Sequence, residues 1–395
     1  MKDLKSWRSE FPILETTTYM ISNSLGAMPR GAAEGLAEYA RTWATRGVRA
    51  WEERWWELAL DVGNRVGRVI NAPAGSVSMH PNVTTAEMVV VSSLLPSGRR
   101  RKIVCPAMDF PSMLYLYRAQ EALGFELVVV PAEDDFSIRT DRFLDAIDDE
   151  TVLVALSHVL FRSSYIMDVA PIVERAHARG AAVVLDAFQS AGIIPVDVTA
   201  LDVDFATGGC LKWLCGGPGN AFLYTRPDLL KTIRPRFSGW LARRNPFAFD
   251  IDDDVLREDA MRTMNGTPAI PAFYAAIAGL DIVAEVGVSR IREQSKRMTA
   301  HMLDLVERRG YRTVTSRDPE RVAGTVAIDV PKAREVSRVL KARDFIIDYR
   351  PGVGIRVSPH FYNTFEEIDH LIEELARIID RREYEDLEAS GSVVT

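Results

Sequence analysis

Between residues 102 and 225, six short and almost uninterrupted apolar runs follow one another: KIVCP from Lys102, ELVVVP from Glu126, TVLVALSHV from Thr151, AAVVLDA from Ala181, VDFATGG from Val203 and NAFLYT from Asn220. Stretches of helical pattern, TDRFLDAIDD and PIVERAHARG among them, lie in between. A strand that is apolar on both faces must be covered on both, and a helix between consecutive strands supplies that cover. The pattern therefore predicts an α/β fold with a mainly parallel sheet between layers of helix. Ligands of such sheets sit beyond the carboxyl ends of the strands, which is where Asp186 and the segment at Phe110 fall.

With 395 residues, 47% of them hydrophobic and 26% charged, the chain has more core than one simple domain needs. After the acidic connector PFAFDIDDDVLRED, a long amphipathic helix from near Pro271 leads into a smaller α+β unit containing TVAIDV and GIRVSP and running to about Arg382. Three parts are expected: residues 1–50 contributing to the small domain and the active site, 51–270 forming the large domain, and 271–395 forming the connecting helix and small domain. The tail EASGSVVT is expected to fray. A net charge of −7 offers no basic stripe for nucleic acid, and neither a signal peptide nor a membrane-spanning apolar run is apparent, so a cytoplasmic protein is expected. Cys105, Cys210 and Cys215 suit neither a disulfide framework nor a zinc site; reduced thiols and no metal are expected.

Two residues carry chemistry. The apolar strand VVL delivers Asp186, and the later run VDFATGGCLKWLCGGPGNAFLY delivers Lys212. In isolation they would read as a helix cap and a surface lysine. Together they look like the pair required by an enzyme of pyridoxal 5'-phosphate (PLP): an amine to condense with the cofactor aldehyde, and a carboxylate to keep the pyridine nitrogen protonated. The run GGPG is expected to let backbone pass close to the flat cofactor.

Eight motifs in order, ISNSLGAMPRGA, DFPSMLY, LSHVLFRSSYIMDV, AHARGAAVVLDAFQSAGIIPVDV, the lysine segment, FSGW, NGTPAI and RVSPHFYNT, make the chain resemble the kynureninases of the class V aminotransferase group, fold-type I PLP enzymes, from about Phe11 to Ile379. The resemblance implies an aspartate-aminotransferase-like fold and a homodimer with shared active sites. It implies that Phe110 stacks on the PLP ring and that Val83, Thr84, Trp240 and Thr267 serve the phosphate, the last two in the neighbouring subunit. Ser157 and Gln189 match positions near the ring, Gln189 where kynureninases carry histidine. Arg356 matches the arginine that grips the substrate α-carboxylate, and Asn23 and Trp56 match positions lining the substrate pocket. The cluster Trp51, Trp55 and Trp56 contains at least one residue that only packs, and His158 reads as a hydrogen-bonded structural histidine.

The departures bear on the reaction. Leu211 stands where kynureninases place a tyrosine before the lysine, and Met113 where they close FPSD or FPTD with aspartate. Losing a proton donor costs a hydrolytic step roughly 10²–10⁴-fold, so cleavage of kynurenine is expected to be poor. The leading expectation is an enzyme acting on an L-amino acid through an external aldimine and quinonoid, by Cβ–Cγ hydrolysis or a related β-elimination. An aminotransferase is the alternative, and a non-catalytic binding protein of the same fold is a third. Cysteine desulfuration fits less well, because the persulfide cysteine of such enzymes lies in the C-terminal part and no cysteine follows Cys215.

Overall fold

The computed structural model describes residues 3–385; the tail EASGSVVT lies outside them. A seven-stranded sheet organises the larger part: β1 (Val77–His80), β2 (Lys102–Pro106), β3 (Glu126–Val130), β4 (Thr151–Ser157), β5 (Ala182–Asp186), β6 (Phe205–Gly209) and β7 (Ala221–Thr225), in spatial order β1-β7-β6-β5-β4-β2-β3. All six apolar runs become strands. β7 runs antiparallel to both of its neighbours while the remaining pairings are parallel. The edge strand β1, VSMH, is the one that patterning missed. It is buried along its length, but its serine and histidine interrupt the apolar run that marks the others.

Helices Pro111–Ala119, Thr140–Ala146 and Val169–Ala178 fall in the spaces between the expected strands, and Val83–Ser93 precedes the first of them, linking β1 to β2. Helix Ile270–Val286 starts where a helix was expected, with Pro271 in its first turn, and packs on Arg30–Arg46 and Trp56–Ile70. Gly287, at φ 85°, ends it, and helix Val288–Arg308 leaves at 80°. No single helix among the described residues is long and apolar enough to cross a membrane, although this bent pair reaches that length and composition jointly.

The smaller C-terminal unit has its own apolar cluster, in which Met298, Val326, Leu340, Ile355 and Leu371 take part. Its strands Asp348–Arg350 and Gly354–Val357 form an antiparallel hairpin extended by Val326–Ile328. The N-terminal segment touches both units. Thr18–Tyr19 pairs with Phe345–Ile346 and Ile21 bridges to Ser358, while Phe11 and Leu14 belong to the large cluster. Gly26 then donates its N–H to Leu211 O at 2.8 Å, beside Lys212.

Candidate active site

A cavity of about 350 Å³ opens beyond the carboxyl ends of β4 and β5, as a largely parallel sheet predicts. Strand register sets its floor: Ser157 of β4 lies opposite Asp186 of β5, and Asp186 lies opposite Thr207 of β6. Of the residues singled out from sequence, Asn23, Val83, Thr84, Phe110, Ser157, Asp186, Gln189, Lys212 and Arg356 line it, as do the divergent Met113 and Leu211. Sequence-distant segments converge there, from the N-terminal segment, five strand ends and the C-terminal hairpin.

Lys212 Nζ lies 4.1 Å from the centroid of the Phe188 ring and 5.9 Å from that of Phe110. Burial lowers its amine to about 8; Asp186 opposes that shift, and Arg356 and Arg350 reinforce it. Burial likewise raises Asp186, whose Oδ1 accepts the N–H of Phe188 at 2.8 Å, with the charge of Lys212 pulling the other way. Both side chains retain accessible surface and line the cavity. Phe110 is 48% exposed and edge-on to Phe161 at 5.5 Å. A large apolar ring left open beside a lysine has area to give to a flat ligand.

Two helices begin at this cavity. Val83–Ser93 is capped by Asn82, whose side chain accepts from Thr85 N at 2.9 Å, and Asn82, Val83 and Thr84 all line the wall. The first amides of a helix have no intrahelical acceptor and form a ready anion site. The second helix, Pro111–Ala119, starts directly after Phe110.

At the far end, Arg356 is 2% exposed and donates through Nη1 to Phe161 O and through Nη2 to Asp348. Asp348 also accepts from Arg350 at 2.8 Å. Arg356 Nε is buried without a partner, and so are both amide atoms of Asn23. Buried polar groups left unpaired are costly, and two donors and one acceptor so left on residues of one cavity mark a place for a polar ligand. Gln189 is more occupied: its amide donates to Asn23 O at 3.1 Å and accepts from Trp213 Nε1 at 3.2 Å, tying the N-terminal segment to the lysine loop.

Three residues expected near the cofactor or substrate lie elsewhere in the protomer. Trp56 stacks on Trp51 at 4.4 Å and meets Trp240 and Phe247 edge-on. Trp240 lines a separate pocket with Phe249. Thr267 lines another with Pro81 and Thr85, behind the turn that carries Asn82. Trp55 only packs, with its indole N–H on Tyr274 Oη at 3.3 Å. The GGPG run does not approach the cavity. Gly216 packs on Cys210, and Gly217 and Gly219 adopt φ of 70° and 86°, so these glycines turn the chain rather than admit a cofactor. His158 is buried with Nδ1 unpartnered and burial lowers it to about 4; it is a neutral core residue rather than the hydrogen-bonded one expected. Sequence reasoning missed Phe188, Arg350, Asp348, Asp109 and Glu87. Glu87 could have been found, because it shares the apolar face of its helix with Val83, Ala86 and Val90.

A lysine of lowered basicity, a strand-end carboxylate, an open aromatic ring and a helix N-terminus around one cavity define a PLP-dependent enzyme of fold-type I: these four groups fit that cofactor, and the unpaired polar atoms of Arg356 and Asn23 are left for a polar substrate. The chain belongs to the aminotransferase class-V family, whose model matches residues 19–371. It is 33% identical over 376 residues to a protein of Bacillus subtilis (strain 168) described as the uncharacterized aminotransferase YcbU, covering 94% of this chain and 97% of that one. It is 30% identical over 408 residues to the kynureninase of Bacillus mycoides (strain KBAB4), covering 99% and 95%. Among solved structures, the apo cysteine desulfurase of Thermococcus onnurineus NA1 superposes with a TM-score of 0.85 at 22% identity, covering 96% of this chain and 99% of that one. The lyase C-DES, in a mutant with glycine covalently linked to its PLP cofactor, gives 0.83 at 22%, covering 93% and 98%.

Proposed function

We propose that the protein is a homodimeric cytoplasmic enzyme that binds an L-α-amino acid and breaks a bond in its side chain, by kynureninase-like Cβ–Cγ hydrolysis or a related β-elimination. The observation that carries this reading is that Lys212, Asp186 and Arg356 line one cavity. PLP, when bound, supplies an electron sink for bond-breaking at the amino acid. In this reading Lys212 is its covalent anchor and afterwards the base that takes and returns a proton at substrate carbon, a task suited to an amine near 8. Asp186 would hold the proton on the ring nitrogen, Phe110 would offer its open face to the ring, and Ser157 and Gln189 would serve positions near it. Val83 and Thr84 offer the phosphate the amides of a helix start. Arg356 takes the α-carboxylate through Nε and its remaining N–H groups, with Asn23 beside it. Trp240 and Thr267 act across the dimer interface, serving the partner's phosphate.

Leu211 and Met113 present apolar walls where water would be activated for hydrolysis of a ketone. L-kynurenine and 3-hydroxykynurenine should therefore bind and alter the cofactor absorbance, yet release anthranilate products poorly, with kcat reduced more than KM is raised. The test pairs spectral titration with anthranilate release. A kcat/KM of roughly 10⁴ M⁻¹s⁻¹ or more on kynurenine would overturn the altered-reaction reading. Amino-acid-for-oxo-acid exchange at one-to-one stoichiometry would favour transamination, the activity suggested by the YcbU relative's description.

A further inference from the structure

Behind the cavity floor lie two more acids that the proposed chemistry does not use. Asp186 is flanked on both sides by a strand hydroxyl, and each hydroxyl is bonded to a buried carboxyl group. On the β4 side, Ser157 Oγ donates to Asp109 Oδ1 at 2.6 Å. On the β6 side, Thr207 Oγ1 donates to Glu87 Oε1 at 2.6 Å, and Tyr117 Oη donates to Glu87 Oε2 at 2.8 Å. Asp109 and Glu87 are 3% and 1% exposed, and neither lines the cavity. Asp186 on β5, Asp109 after β2 and Glu87 on helix Val83–Ser93 interact with one another, and Lys212 offsets the charge of Asp186 alone, so the three acids cannot all ionise in a low-dielectric interior.

We propose that Glu87 is a positioning residue: held between Thr207 and Tyr117, it keeps a proton within this row, so that Asp186 alone carries the charge presented to the cofactor ring nitrogen. This rests on the reading that the ring nitrogen lies against Asp186. Asp186 wins the charge because it alone of the three lines the cavity and has Lys212 as a cationic partner; hydrogen-bond donors support all three anions and do not distinguish them. Glu87 is the adjustable member. Burial raises it to about 7, with Asp186 adding to the rise and Thr207 and Tyr117 opposing it, whereas Asp109 is driven well above the usual carboxylate range. The titratable groups around Glu87 are Tyr117 of helix Pro111–Ala119, Asp186 of β5 and Asp109 after β2, with Cys105 of β2 beside Tyr117 and Lys212 beyond Asp186. Glu87 thus keeps its proton on the acid side of neutrality and gives it up on the alkaline side, where a second negative charge appears behind Asp186.

The experiment compares Glu87→Gln with the parent in two ways. Thermal unfolding of the cofactor-free chain reads the proton itself. A carboxyl group with an ordinary value of 4.5 that is raised to about 7 makes the folded state bind more protons across that window, so the parent loses stability as pH rises through it. Glu87→Gln should flatten that slope. A pH titration of the bound cofactor's absorbance then reads the coupling. Parent and variant should coincide below about pH 6 and separate above about 7, because glutamine imitates only the protonated acid. Tyr117→Phe removes a donor that favours the anion, so the pH at which stability and cofactor absorbance change should move upward relative to the parent; that shift is read from these two proteins alone if Glu87→Gln does not fold. Curves that coincide throughout, or differ at every pH, would overturn the proposal. Failure to bind PLP at all would instead overturn the reading of the site.

Discussion

Gly26 lies where the N-terminal segment crosses the lysine loop, and its replacement by alanine isolates how tightly that crossing holds the site. A Cβ at Gly26 would stand 2.1 Å from Lys212 O, 3.0 Å from Cys215 Sγ and 3.1 Å from Cys215 Cα. Ordinary contact begins near 3.4 Å, so more than an ångström must be absorbed, and the nearest atom is backbone that no rotamer change can move. Overpacking of this kind costs about 1–3 kcal/mol. Loss of the Gly26 N–H bond to Leu211 O adds about 1 kcal/mol. The stiffer unfolded chain returns about 0.5–1 kcal/mol. The net expectation is a loss of about 1–3 kcal/mol in urea unfolding at unchanged m-value. Because the displaced backbone carries Lys212, turnover should fall roughly 100-fold, the effect of an ångström-scale misplacement. Gly67→Ala, inside helix Trp56–Ile70 with its nearest atom at 3.3 Å, is the comparison and should fall within about 1 kcal/mol of the parent. A Gly26→Ala protein that matches the parent in both midpoint and turnover would refute the claim that this crossing positions the lysine.

Asp186→Asn should leave PLP bound while activity drops by roughly 10²–10³-fold, since an amide cannot hold the ring nitrogen protonated by charge; turnover at the parent rate would remove Asp186 from that role. For Lys212, an amine at about 8 is about one-tenth unprotonated at pH 7, so covalent loading of the cofactor-free chain should speed up about tenfold per pH unit below 8 and level off above it. The same depressed value means that the unfolded chain binds more protons between about 8 and 10.5, so the cofactor-free protein should gain stability as pH rises through that window, and Lys212→Met should abolish the gain. The dimer reading expects a two-fold assembly in sedimentation, with Thr267→Ala weakening PLP retention although Thr267 lies outside the protomer's own cavity; a monomer with full cofactor occupancy would contradict it.

What the sequence determined by itself was local. A continuous apolar run cannot be stable with a face in water, so the six runs from Lys102 to Thr225 announce a covered sheet, and Asp186 and Lys212 announce their chemistry by residue type next to such runs. The order of those strands was not legible. Neither was the reversal of β7, nor the edge strand β1, whose polar residues interrupt the period on which such reading depends. The tertiary structure alone decided which distant residues meet. Arg356 reaches the cavity because its antiparallel hairpin docks beside β4, where Phe161 O and Asp348 hold the guanidinium. Ser157, Asp186 and Thr207 form a row only because three parallel and neighbouring strands share a register, and that register places Asp109 and Glu87 behind Asp186. The physical reason is that periodicity reports which face of an element is buried, whereas a site of this kind is made by contacts between elements. Their partners are chosen by packing and strand pairing, which no single segment encodes.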